Sequence, residues 1–110
     1  MSQDEGTLLE KRKELVKVSN MVINEQIDLI VGIRKICALR FSVCDPENEV
    51  FVPIRAIESE TDHYPIGERR TQYANEYLSQ MDAEMASYLK EVKEEILSSC
   101  KNIINVYGST

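Results

Sequence analysis

The chain has no tryptophan, two phenylalanines, one histidine and four glycines among its 110 residues. With so few large aromatics, a core has to be built from aliphatic side chains, with tyrosines at its edges. The single imidazole, His63, limits both metal binding and proton transfer. Gly6, Gly32, Gly67 and Gly108 stand far apart, so there is no glycine-rich loop to cradle a phosphate and no GxSxG nucleophile frame. Cys37, Cys44 and Cys100 form an odd set without CxxC spacing, which excludes a disulfide framework and a four-cysteine zinc site. Reduced, partly buried thiols are expected instead.

Basic charge is also short: the net charge is −6. That excludes the counterion-releasing grip on nucleic acid and attraction to an anionic membrane surface. The longest apolar run, residues 27–39, is broken by Asp28, Gly32, Arg34 and Lys35 and falls short of a membrane span. The acidic, polar start MSQDEGTLLE lacks the pattern of a signal or transit peptide. The expectation is a single cytoplasmic domain over residues 1–110, with no cofactor, no metal, no nucleic acid and no membrane partner.

Helical periodicity is abundant. A first helix is expected to begin near Gln3 or Asp4, with Leu8, Leu9, Arg12, Leu15, Val16 and residues 21–23 on its buried face. Ser19, Asn20 and Asn24 are weak helix formers with capping oxygens. They predict a bend or a restart, and a second helix over about residues 24–43; one long kinked helix is the alternative. Around that second helix Asp28, Gly32, Lys35, Leu39 and Ser42 fall in one narrow, wet sector and nearly everything else is apolar, the signature of a helix covered on more than one side. Arg34 and Arg40 interrupt the apolar arc, and a buried guanidinium needs a carboxylate or several carbonyls.

A turn follows at residues 44–48. Pro53 favours a short helix over residues 53–60, since proline fits a first turn, with an extended strand over residues 50–57 as the alternative. After a second turn, Asn75 is a fitting N-cap and Leu78, Met81, Met85, Tyr88, Val92, Ile96, Cys100, Ile103 and Tyr107 recur at steps of three and four, with Gly108 as the stop. A helix of about 30 residues would be roughly 45 Å long. Either it breaks near residues 79–82 or its end projects toward a partner chain. The fold expected is all-α: an irregular bundle of three to five helices around a structured central loop, residues 44–74.

That loop contains ESETDHYPIGERR, where chemistry could concentrate. If extended, it would put Glu58, Glu60 and Asp62 on one side beside His63. The set lacks a metal-ligand frame. A nucleophile would have to come from Ser59 or a cysteine, and nothing chooses among them. The acids have a structural use: they are the nearest dense supply of carboxylates for Arg34 and Arg40, so the loop is expected to latch onto the second helix through ion pairs. The segment Ser59, Glu60, Thr61, Asp62, Pro65, Gly67 and Arg70, together with Gly32 and Arg34 in IVGIRKI, resembles a family of small bacterial helical proteins carrying SETDxxPxGxxR, of the kind encoded in mobile gene cassettes. No activity comes with that resemblance.

Two functional readings follow. In the first, the chain is a small acidic interaction protein, acting as a homodimer or with a protein partner through the long last helix. In the second, Arg34, Arg40 and Arg70 hold an anion in a pocket between the second helix and the loop, where Glu60, Asp62 and His63 bind ligand or move a proton.

Overall fold

A computed structural model describes residues 5–108 of the chain. Four α-helices account for the architecture: α1 (Glu5–Ile23), α2 (Leu29–Ser42), α3 (Val52–Thr61) and α4 (Asn75–Tyr107), with short 3-10 turns at Glu49–Phe51 and Gly67–Gln72. No strand occurs among the described residues, so the all-α expectation holds and residues 50–57 are helical. Pro53 lies in the first turn of α3, where its missing N–H costs nothing. A start for α1 at Gln3 or Asp4 lies outside the described residues.

α1 runs without a break through Ser19 and Asn20, because the Ser19 hydroxyl donates to the Leu15 carbonyl (2.9 Å) rather than capping a new helix. It stops where Glu25 adopts φ 57°. The Gln26 N–H donates to the Met21 carbonyl (2.8 Å) and the Glu25 N–H to the Val22 carbonyl (3.2 Å), the paired bonds of a Schellman end. α2 therefore starts at Leu29, later than its sequence pattern indicates, and closes with the same motif: Cys44 has φ 59°, Asp45 N–H meets the Arg40 carbonyl (3.1 Å) and Cys44 N–H the Phe41 carbonyl (3.0 Å).

The core joins Leu15, Val18 and Val22 of α1 to Ile33, Ile36 and Leu39 of α2, Ile54 and Ile57 of α3, and Ile96, Cys100 and Ile103 of α4. Leu9, expected on the buried face of α1, is 39% exposed. The wet sector assigned to α2 is also corrected. Gly32 and Leu39 are buried, whereas Phe41 is 59% exposed. A Cβ on Gly32 would lie 2.4 Å from the Val22 Cγ2 methyl, so the missing side chain is what lets α1 and α2 approach.

α1 and α4 are antiparallel. Glu25, just past the end of α1, meets Lys93 (2.9 Å), while Arg12 lies in the electrostatic neighbourhood of Tyr107. Tyr107 closes the bundle: its ring stacks on Phe51 (5.8 Å between centroids) and its hydroxyl donates to Asp45 (2.7 Å). α4 is continuous through residues 79–82; its 33 residues, about 50 Å at 1.5 Å each, match the 48 Å long dimension of the molecule. α1 accompanies it only from Lys93 onward. No residue of α4 before Leu89 is buried.

Candidate functional site

The six residues singled out in the sequence go to different places. Arg34 reaches across from α2 and donates from Nη2 to the carbonyl of Thr61 (2.9 Å), the last residue of α3; that oxygen also accepts from the Tyr64 N–H (3.1 Å). Terminal helix carbonyls lack intrahelical partners and sit at the negative end of the macrodipole, so they suit a guanidinium. Arg40 donates from Nη1 to the Pro46 carbonyl (2.7 Å), its guanidinium carbon 4.2 Å from the centre of the Phe41 ring. Each keeps a buried Nε without a hydrogen-bond partner among the described residues.

The ion pairs expected with Glu58, Glu60 or Asp62 do not form: no ion pair among the described residues involves Arg34 or Arg40. Main-chain carbonyls supply the acceptors without desolvating a second charge. The loop does latch onto α2, but through the end of α3 rather than through its acids.

Arg70 latches the loop to α4. Its guanidinium grips Asp82 with two bonds (Nη1 to Oδ1 2.7 Å, Nη2 to Oδ2 2.8 Å) and also donates to the Pro65 carbonyl (3.3 Å). This fork-to-carboxylate bonding holds the Asp82 carboxyl below its usual range and the Arg70 guanidinium above its own. Gly67, with φ 60°, makes the turn that brings Arg70 there. Tyr64 and Pro65 are buried beneath the loop, while Glu60, Asp62 and His63 face outward, the His63 ring lying 4.0 Å from that of Tyr64. Glu60 is near enough to Tyr88 to add to the burial that raises the Tyr88 hydroxyl pKa.

The three arginines are thus each committed to acceptors within the chain, and the imidazole is on the surface. Among the described residues no cluster of three metal-ligating side chains occurs. The two buried thiols fare no better as nucleophiles: burial, with Glu58 nearby, pushes Cys37 up to about 12, and burial pushes Cys100 up to about 11.

Against protein-family models, curated proteins and solved structures, the chain finds no match.

An apolar concavity lies elsewhere, beside the first half of α4. Because α1 stops level with Lys93, the α4 flank before that point faces an open groove of about 440 Å³, with the start of α2 as its other wall. Leu29 and Ile30 line it from α2, and Met85, Ala86, Leu89 and Lys90 from α4. It runs into a smaller depression at the end of α1, with which it shares Asp28, Leu29 and Lys93. A larger groove of about 540 Å³ between α1 and α2 is rimmed mainly by charged side chains, Lys13, Lys17 and Lys35 among them. The sequence signal for the apolar groove is faint: an alanine and two lysines inside an otherwise ordinary amphipathic stripe.

Proposed function

We propose that the chain is a small helical interaction protein that works as a homodimer through the first half of α4. One observation carries this reading. α4 outruns α1, so that its residues 75–88 contain no buried side chain, although Leu78, Met81 and Met85 continue the apolar stripe that forms the core further along. Tyr73 and Tyr77 stack on each other (5.1 Å) at the projecting end and stay 37% and 41% exposed. Half-buried methionines and exposed tyrosines beside an apolar groove are the composition of contact patches. The anion-pocket reading has less support, since each of its three arginines is already engaged by an acceptor within the chain.

Sedimentation across a concentration series tests the reading. A reversible monomer–dimer equilibrium in the micromolar range is expected, weakened by Leu78→Asp or Met85→Asp in folded variants. A monomer at every concentration up to the millimolar range would end the homodimer reading.

A further inference from the structure

The exposed flank of α4 carries a pattern that matches itself when reversed. Asp82, Ala86 and Lys90 are spaced four residues apart, so they form one ridge along the helix, about 6 Å between neighbours. Ala86 is exposed and Lys90 makes no ion pair among the described residues. Ala86 and Lys90 line the apolar groove, together with Met85, Leu89 and the Leu29–Ile30 start of α2. A small residue is thus bracketed by an acid one turn before and a base one turn after.

We infer that a second copy of this chain docks on this flank, with its α4 antiparallel to the first and the two-fold axis passing at Ala86. The inference rests on the homodimer reading and adds its geometry. Around such an axis each residue faces the one equally far on the other side of Ala86. Asp82 then meets Lys90 of the second copy, and the same pair forms again by symmetry. A parallel arrangement would set Asp82 against Asp82 and Lys90 against Lys90, so the order of charges selects the antiparallel one. The Ala86 methyls allow the helices to cross at about 8 Å, the close end of helix packing distances. Met85 of each copy then enters the other's groove, against the Leu29, Ile30 and Leu89 that line it. Asp82 is equipped for two cations: each oxygen accepts one Arg70 bond, and each keeps a lone pair.

The test is Ala86→Cys in a Cys44→Ser background, where the other two cysteines are buried. Mild oxidation is expected to give a disulfide-linked dimer, because residue 86 lies on the axis. Ala83→Cys, exposed but three residues off the axis, places the Cα atoms of its two cysteines about 9 Å apart along the helices and is expected to cross-link poorly. Lys90→Glu, which turns two attractions into repulsions, is expected to weaken the dimer about tenfold. A dimer that is indifferent to Lys90→Glu and does not cross-link at residue 86 would overturn this placement while leaving the homodimer reading intact. A chain that sediments as a monomer throughout would overturn both.

Discussion

Gly32→Ala puts the close approach of α1 and α2 to a sharp test, because two well-known effects oppose each other there. Alanine in a helix interior is favoured over glycine by about 1 kcal/mol, so on propensity alone the variant would be the more stable. The added methyl, however, would lie 2.4 Å from Val22 Cγ2 and 3.5 Å from Ile27 Cγ2. Carbon pairs are comfortable at about 3.5–4.0 Å, so one contact has to open by more than 1 Å. Val22 has no easy escape: it is fully buried, and a valine in a helix holds one strongly preferred rotamer. The α1–α2 pair must separate instead, and overpacking of this kind costs roughly 1–3 kcal/mol. The clash wins, for a net loss of about 1–2 kcal/mol once propensity is credited.

Urea denaturation followed by circular dichroism measures the difference. In a chain of this size the same loss lowers Tm by about 4 °C per kcal/mol. Val22→Ala supplies the decisive control. Alone it removes buried methyl groups and destabilises by roughly 2 kcal/mol. Combined with Gly32→Ala it makes room for the new methyl, so the double variant is expected to be more stable than the sum of the singles by about 1 kcal/mol or more. A Gly32→Ala variant about 1 kcal/mol more stable than the parent, or strict additivity in the cycle, would refute the reasoning.

Ellman's reagent is expected to titrate one thiol per native chain, the exposed Cys44, and three after unfolding, because Cys37 and Cys100 are buried with raised pKa values; fast native reaction at Cys37 would contradict this. Cys44→Gly is expected to stabilise the fold by about 0.5–1 kcal/mol, because position 44 closes a Schellman motif at φ 59°, where glycine escapes the strain of a Cβ; a chemical denaturation curve measures it. Tyr107→Phe removes the hydroxyl that, ahead of the Asn48 amide, holds the Asp45 carboxyl below its usual range. A lowered folded pKa stabilises above the unfolded value near 4 and is lost as pH falls through the folded one. The variant is therefore expected to lose roughly 1 kcal/mol at neutral pH, discounted for the partial exposure of Asp45, with a deficit that shrinks in acid. Urea midpoints at pH 7 and pH 3 measure it, and an unchanged deficit at both would count against the Asp45 bond.

Much of the fold was legible because it is written in periodicity. The run of apolar residues at steps of three and four fixes α4 almost to the residue, and Gly108 marks its end, although at φ −88° rather than in a left-handed turn. Its first cap was misread: α4 begins at Asn75 itself, with Ala74 in the cap position and no side-chain bond. Pro53 tips residues 50–57 toward helix. Reading Gly32 as a wet position failed for a definite reason. Glycine scores as neutral on any hydropathy scale, whereas its role here is set by Val22 on another helix, which no pattern within α2 can report.

The arginines went astray in a related way. Counting charges directs the eye to carboxylates, but Arg34 and Arg40 are satisfied by the carbonyls of Thr61 and Pro46, and carbonyls belong to every residue alike. Which of them are free depends on where helices stop. The same dependence governs the groove beside α4. It exists because α1 ends at Ile23 and α4 does not end with it, and α1 ends there through a left-handed Glu25, a residue with little intrinsic preference for that conformation. Termination, more than periodicity, therefore decides what this chain leaves open: it frees the Thr61 carbonyl for Arg34, and it uncovers the one flank of α4 where a small residue stands between an acid and a base.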